Sequence, residues 1–289
     1  MATKNRPAEL REALTSLSLQ SVRPLEVIIV DQSAGEETAQ AVHEASERWP
    51  GLAITYIHDR NISGASAGRN RAMEQAKGAI WLFMDDDVVL EPKFLEEILN
   101  AYRNHRGAVG VCGMITNYKR PPVSARMWAA IFAWGPFHDE RQPIYWNADV
   151  LRNEEPVQVT KFGATMMSFR ADAIVGVRFD PNPAAFPAED VDFCLSVAAG
   201  SLLLLAPRAR GLHKRTTTAR IGEHWLRESA RSTSYLHRKH WRAGAKNRLC
   251  FFWLQIGYAC AAFAGSIKRL SLEPWRALFE GISLAPSPR

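Results

Sequence analysis

The chain has 289 residues, 47% of them hydrophobic, and its 36 basic against 30 acidic residues give a net charge of +6. This composition supports a sizeable core and excludes an intrinsically disordered chain. Its four cysteines lack the spacing of zinc ligands and favour free thiols in a reducing compartment over a disulfide framework. The opening "MATKNRP" has no apolar stretch, so no secretory signal is expected.

Apolar runs alternate with helical patterns along residues 1–116. The predicted strands are "EVIIVD" (26–31), "LAITYIH" (52–58), "AIWLFMD" (79–85) and "AVGVCGMI" (108–115). The predicted helices are 9–20, 36–48, 69–78 and 91–105, and a Gly/Ser-rich loop, "NISGASAG", follows the second strand. This alternation predicts a parallel, doubly wound sheet, in which ligands bind beyond the carboxyl ends of the strands.

The pattern changes after residue 116. Residues 117–157 contain five prolines and three tryptophans and are predicted to form a loop. That loop is either a stacking surface for an apolar or sugar ligand or a packed cover over the sheet. A strand leading into a helix (159–174), a loop leading into a helix (175–199) and a strand (201–207) are predicted to follow.

Carboxylates end two of the predicted strands. Asp31 follows the first, and three adjacent aspartates, Asp85, Asp86 and Asp87, follow "IWLFM". Adjacent carboxylates repel one another unless a cation compensates them. In an extended segment, Asp85 and Asp87 point to one side and offer oxygen ligands to Mg²⁺ or Mn²⁺. A helix cap or turn explains one such aspartate, but not three.

Two further candidates come from the second half of the chain. In "AEDVDF", Glu189 and Asp190 begin a predicted helix. Their position has two explanations: the helix dipole favours negative charge there, or Asp190 is a general base. His213 follows the strand "SLLLLAP". A lone histidine is more often a surface or structural residue, so it becomes a candidate ligand only together with the carboxylates.

An ordered set of motifs resembles the family 2 glycosyltransferases of the GT-A fold. The motifs are "TKNRP", "EVIIVDQS", "GASAGRNRAMEQAKGAIWLFMDDDV", "FGATMMSFR", "VGVRFD" and "AEDVDFCL", and they span roughly residues 1–215. The resemblance implies an α/β fold with a Rossmann-like mixed sheet flanked by helices. It also implies transfer of a sugar from a nucleotide diphosphate sugar to an acceptor hydroxyl, with inversion at the anomeric carbon.

The resemblance assigns roles to particular residues. It implies nucleotide-sugar binding by Thr3, Asp31, Arg69, Asp85 and Asp86, metal binding by Asp87 and His213, and deprotonation of the acceptor by Asp190. The implied cofactor is a divalent cation, Mn²⁺ or Mg²⁺. The processive synthases' QxxRW signature is absent, which favours addition of a single sugar.

The resemblance also bears on domains and on the start of the chain. It predicts a catalytic domain at 1–215, with a nucleotide-binding half (1–116) and an acceptor-binding half (117–215), and a helical extension at 216–289. Relatives have an apolar strand before the "TKNR" loop, whereas Met1 falls at its carboxyl end here. We therefore expect a truncated first strand and a true start upstream of Met1.

The C-terminal region is basic and then apolar. Residues 208–248 contain 12 Lys/Arg and 2 Asp/Glu, a balance of +10, and the uncharged segment 249–267 follows. This segment is a membrane span, an interfacial helix or a helix packed on the catalytic domain. The basic charge favours a membrane surface and a saccharide or lipid-linked acceptor, at the cytoplasmic face of the cell membrane. Without a nucleic-acid-binding module, nucleic acid is not an expected partner.

Two other functions fit parts of the sequence. "FMDDDVV" also fits the DxDx[T/V] pattern of haloacid dehalogenase-like phosphatases, with Asp85 as the nucleophile and Asp87 as the acid. That function leaves Asp31 and the "GRN" loop unused. The second alternative is a catalytically silent membrane-docking protein that keeps the fold, which the complete acidic set disfavours.

Overall fold

A computed structural model describes residues 1–117, 122–133, 137, 154–163, 165–197, 200–214, 223–240 and 244–283. The chain forms two compact units that are discontinuous in sequence. The first unit consists of residues 1–118, 147–181 and 196–215. The second consists of residues 119–146, 182–195 and 216–289.

The described strands belong to the first unit. They are β1 (Ala2–Thr3), β2 (Val27–Asp31), β3 (Ile54–His58), β4 (Ile80–Met84), β5 (Val88–Leu90), β6 (Ala108–Ile115), β7 (Val157–Val159), β8 (Met166–Arg170) and β9 (Leu202–His213). Strands β1, β2 and β3 form a parallel sheet. The second sheet has the order β4-β8-β6-β9-β5, and β7 pairs with β9.

The second sheet is mixed. Strands β6 and β9 are parallel, whereas the other described pairs are antiparallel. The parallel sheet predicted from the alternating elements is confirmed for β2 and β3. It is wrong for β4 and β6, because β8 lies between them and runs opposite to both. The mixed α/β class implied by the resemblance is confirmed.

Helices flank these strands and build the second unit. The described helices are α1 (Pro7–Ser18), α2 (Glu37–Arg48), α3 (Ala65–Met73), α4 (Phe94–Asn104), α5 (Val123–Phe132), α6 (Glu189–Ser196), α7 (Glu223–Lys239), α8 (Ala245–Arg269) and α9 (Glu273–Ser283). Helix α5 lies within the predicted 117–157 loop, and most of the rest of that segment lies outside the described residues. The helix predicted at the end of 159–174 is a single 3₁₀ turn.

The core of the first unit fixes the carboxyl end of β2. All five residues of β2, "VIIVD", are buried, as expected for a parallel strand covered on both faces. Helix α1 buries Leu10, Leu14 and Leu17, at helical spacing, in the same cluster as Ile29 of β2. This packing holds Asp31 at the rim of the sheet.

Strand β9 is longer than predicted. Residues 201–207 were expected to form the strand, but pairing continues for twelve residues to His213. The extension pairs with β5, a strand that the sequence did not predict, and sets His213 opposite Val88. The histidine is thereby brought beside the residue that precedes β5, Asp87.

Strand β1 has two residues, which pair with Val30 and Asp31 of β2. A cavity of ≈ 390 Å³ borders Met1, and strands β2 and β4 supply much of its mainly apolar lining. The three adjacent aspartates do not line this cavity. It adjoins the carboxylate cluster through Arg69, which also lines it.

Substitution of Gly113 in β6 tests the packing of the core of the first unit. A Cβ at this position would overlap Phe94 Cε2 and lie 2.7 Å from the carbonyl oxygen of Ala209. We expect Gly113→Ala to lower the free energy of unfolding by about 1–3 kcal/mol, the usual cost of overpacking. Gly107→Ala is the matched control, because a Cβ there meets nothing within 4 Å. Urea unfolding measures both, and equal stability of the two variants would contradict the packing described.

Candidate active site

The three adjacent aspartates follow the carboxyl end of β4. Asp85 comes directly after the strand, and Asp86 and Asp87 form the turn that leads into β5. Because β5 pairs with β9, His213 lies beside this turn, with its Nε2 3.1 Å from Asp87 Oδ1. Residues far apart in sequence thus meet at one edge of the sheet.

Asp85, Asp87 and His213 form a group that can hold a metal ion. One possible ligand atom from each lies within 4.8 Å of the others. Two carboxylates and an imidazole suit Mn²⁺, and carboxylates also suit Mg²⁺. These residues therefore fit the implied cation. The expected convergence of Asp85 and Asp87 is observed, although a turn rather than an extended segment produces it.

Asp86 faces different partners. Its Oδ2 accepts a hydrogen bond from Thr3 Oγ1 at 2.7 Å, and its Oδ1 accepts one from Arg6 Nη1 at 3.0 Å. Arg6 Nη1 also donates to Asp87 Oδ2 at 2.9 Å. Arg6 is a site residue that was not predicted from the sequence, although it lies within the motif "TKNRP".

The two neighbouring carboxyl groups have opposite pKa shifts. Burial raises the pKa of Asp86, and this effect outweighs the hydrogen bonds from Thr3 and Arg6 that lower it. Burial also acts to raise the pKa of Asp87, but the hydrogen bond and charge of His213, together with Arg6, lower that pKa overall. Asp87 is therefore held as a carboxylate, the form that binds a cation.

Arg69 pairs with the first aspartate. Its Nη2 donates to Asp85 Oδ1 at 2.8 Å, and its guanidinium lies over the ring of Phe179. With Arg6, two guanidinium groups thus compensate three adjacent carboxylates. One negative charge remains in excess when His213 is neutral. The convergence of ligand atoms, rather than charge repulsion alone, is what supports a cation here.

Asp31 lies at the end of β2 and is fully buried. Its Oδ1 accepts a hydrogen bond from the Ser33 amide at 2.8 Å, and its Oδ2 accepts one from the Tyr56 hydroxyl at 2.7 Å. Burial, followed by this bond to Asp31, raises the pKa of Tyr56, so the phenol remains a donor. Asp31 therefore holds its own loop in place, and its predicted contact with a nucleoside stays a prediction.

Asp190 belongs to the second compact unit, whereas the other predicted site residues belong to the first. It is half-buried in the first turn of α6, where its Oδ1 accepts a hydrogen bond from the Val191 amide. Asp192, two residues further on, is fully buried and bonds Lys239 Nζ and His240 Nε2, both at 2.8 Å. These bonds fasten α6 to the end of α7.

A Rossmann-like mixed sheet with clustered carboxylates at its rim defines a GT-A-type protein. The model of the family "Glycosyl transferase family 2" matches residues 1–173, and the chain belongs to this family. The predicted family, the GT-A fold and the assignment as a glycosyltransferase enzyme are confirmed. The phosphatase alternative is not favoured.

Curated relatives extend the match over different lengths. The chain is 35% identical over 133 residues to the uncharacterized glycosyltransferase YwdF of Bacillus subtilis, covering 45% of this chain and 48% of the relative. It is 27% identical over 271 residues to the succinoglycan biosynthesis protein ExoM of Rhizobium meliloti, covering 86% of this chain and 81% of the relative. The chain thus spans about half the length of the first relative and four-fifths of the second.

A solved structure has the same fold. The mannosyltransferase PcManGT from Pyrobaculum calidifontis, in complex with GDP-Man and Mn²⁺, aligns with a TM-score of 0.59 at 17% identity. The alignment covers 97% of this chain and 82% of that chain. At this identity, the likeness supports the fold and not the substrate.

Proposed function

We propose that this glycosyltransferase is metal-dependent and inverting, and that it moves one sugar from a nucleotide diphosphate sugar to an acceptor hydroxyl. The observation that carries the proposal is the convergence of Asp85, Asp87 and His213 at the rim of a family 2 fold. The complex of PcManGT with GDP-Man and Mn²⁺ supports the same pairing of donor and cation in a protein of like fold.

In this proposal, Asp87, His213 and Asp85 hold Mn²⁺ or Mg²⁺. A bound divalent cation supplies positive charge that stabilises a departing diphosphate. Arg6 and Arg69 are the nearby cationic side chains of the chain itself. Arg6 fixes the orientation of Asp87 through its bond to Oδ2, and Arg69 fixes Asp85, so the ligand atoms are held before a donor arrives.

The nucleotide-sugar side of the site is assigned to Thr3, Asp31, Arg69, Asp85 and Asp86. Thr3 orients Asp86, whose second oxygen is held by Arg6. Asp31 and Thr3 are register partners on β2 and β1, so both stand at the same rim. The buried hydrogen bonds among these groups limit their movement, which favours a preformed donor pocket.

Asp190 is proposed as the general base that removes the proton of the acceptor hydroxyl. A single displacement with inversion needs one base, on the side of the sugar opposite the leaving diphosphate. Asp190 is half-buried at the start of α6, and Asp192 anchors that helix through Lys239 and His240. The base is therefore carried on a supported helix rather than on a loop.

A saccharide or lipid-linked acceptor at the cytoplasmic face of the cell membrane is proposed. One relative with extensive coverage is a succinoglycan biosynthesis protein, which supports a role in polysaccharide or cell-envelope synthesis. Among the described residues, α8 is the one helix long and apolar enough to cross a membrane, by length and composition only. The balance of +10 over residues 208–248 favours an anionic surface nearby.

The proposed reaction is tested by incubating the protein with single nucleotide diphosphate sugars, Mn²⁺ and membrane lipid extract. We expect release of nucleoside diphosphate from one donor or a few, and a product whose anomeric configuration, read by NMR, is opposite to that of the donor. Retention of configuration would contradict the single displacement. Release of phosphate from phosphomonoesters without any sugar transfer would favour the phosphatase function instead.

A further inference from the structure

Helix α8 exposes a continuous apolar stripe. Its exposed large side chains recur every three or four residues and are 50% to 60% exposed: Leu249, Phe252, Ile256, Phe263 and Ile267. Cys260, also exposed, fills the gap in this spacing. At helical periodicity these positions lie along one face. Only 28% of the apolar window is buried, so the helix is not the enclosed core of the second unit.

One side of α8 is packed on helix α5. Trp128 Nε1 donates to the carbonyl oxygen of Gly257 at 2.7 Å, and Trp253 Nε1 donates to that of Ile131 at 2.9 Å. A Cβ at Gly257 would lie 2.6 Å from Phe132, so the glycine permits the close approach of the two helices. This face is therefore already occupied by protein.

Another side of α8 lies along helix α7. Thr233 hydrogen-bonds the Tyr258 hydroxyl at 3.0 Å, and His237 stacks on Phe251 with ring centroids 4.2 Å apart. Residue numbers rise along α7 as they fall along α8, so the helices run antiparallel and side by side. Anything that sets the depth of α8 in a membrane also sets the depth of α7.

Helix α7 has several polar side chains, and its end binds the helix that contains the proposed base. Its buried side chains include Glu228, Thr233 and His237. Near its end, Lys239 and the adjacent His240 bind Asp192 of α6, the helix on which Asp190 lies. If α8 crossed a bilayer, the middle of α7, with the ion pair of Glu228 and Arg231, would enter the hydrocarbon region, where charged groups are costly.

The ends of α8 are basic and exposed. Lys246 and Arg248 precede the apolar stripe, and Lys268 and Arg269 follow it. A helix lying in the membrane plane places both ends at the depth of the headgroups, where anionic lipids attract them. The α8 stripe of a second copy of the chain would not supply negative charge to these basic ends, because that helix has the same basic ends.

We infer that α8 lies in the plane of an anionic membrane surface, with its apolar stripe in the lipid and its other face on α5 and α7. The segment 249–267 is then an interfacial helix rather than a span. This inference goes beyond the proposed transfer reaction and sets the second unit, with Asp190, at the water side of the membrane surface.

The test uses the full-length protein and vesicles of phosphatidylcholine with about a third phosphatidylserine. Cys260 accepts an environment-sensitive thiol label without mutation, because the other three cysteines are buried. Labels at Phe252→Cys and Ile267→Cys, each in a Cys260→Ser background, complete the series. Quenching by lipids that carry spin labels at known depths should place all three labels at one shallow depth. A label at residue 260 near the bilayer centre with shallow labels at 252 and 267 would overturn the inference.

Charge substitution gives a second readout. Phe252→Glu with Phe263→Glu should lower the vesicle-bound fraction at least about tenfold, because two apolar contacts with lipid are lost. The control is Val175→Glu, an 80% exposed apolar residue of the first unit, and it should bind vesicles as the wild type does. Unchanged binding of the double variant, or stripe-dependent dimerisation without vesicle binding, would overturn the inference. Nucleoside diphosphate binding, measured in parallel, separates this result from failure of the proposed reaction.

Discussion

Asp190→Asn is expected to lower kcat about 100- to 10,000-fold, the usual contribution of a positioned general base. Asparagine keeps the size of the side chain but cannot take a proton from the acceptor hydroxyl. Binding of the nucleotide sugar should persist, because the residues assigned to the donor belong to the first compact unit. Steady-state kinetics should therefore show a loss in kcat with little change in the KM for the donor.

The control for Asp190→Asn is Asp172→Asn, which removes an exposed carboxylate from the 3₁₀ turn of the first unit. This variant should turn over as the wild type does. Circular dichroism and thermal unfolding establish that both variants are folded. If Asp190→Asn keeps full turnover, the base is another residue.

Asp87→Asn is expected to have the second large effect. It removes a carboxylate from the group formed with Asp85 and His213, and it breaks the ion pair with Arg6. We expect a loss of Mn²⁺-dependent stabilisation by nucleoside diphosphate and a fall in kcat of at least about 100-fold, since metal charge contributes several kcal/mol to such reactions. Thermal unfolding with and without Mn²⁺ measures the first effect.

Asp86→Asn is the matched control for Asp87→Asn, because the two carboxylates are adjacent, similarly buried and both bonded to Arg6. Asp86 also binds Thr3 and is not part of the metal-capable group. Its replacement should weaken donor binding while leaving the Mn²⁺ dependence in place. Equal loss of the Mn²⁺ response in both variants would show that general charge, not ligation, is responsible.

Local patterns were sufficient to predict the two strands that end in carboxylates. The apolar runs before Asp31 and Asp85 form strands, the first buried and the second partly buried, and both carboxylates lie where those strands end. The helix that begins near Asp190 is also present. These features follow from side-chain periodicity over a few residues, and this periodicity is visible in the sequence itself.

Features that depend on distant pairing were not predictable in this way. Arg6 binds Asp86 and Asp87 across about eighty positions of sequence. The extension of β9 to His213 depends on pairing with β5, a three-residue strand without a periodic signal of its own. Long-range contacts are set by the assembled sheet, and no local propensity encodes them.

The second compact unit illustrates the same limit. Residues 182–195 join the C-terminal helices through Tyr235 and Leu236, which pack against Ala184, Ala185 and Val191. From the sequence motifs, we predicted that this segment belongs to the catalytic domain at 1–215, together with its neighbours in the chain. Its packing partners lie about fifty positions further on, beyond the reach of any local pattern.

The most direct test of the cation-dependent site is calorimetric titration of the wild-type protein with UDP and with GDP, in Mn²⁺ and in chelator. We predict that one nucleotide binds at least about tenfold more tightly in Mn²⁺ than in chelator, and that Asp87→Asn removes this difference. Equal affinity in Mn²⁺ and in chelator, for a nucleotide that binds the wild-type protein, would contradict it.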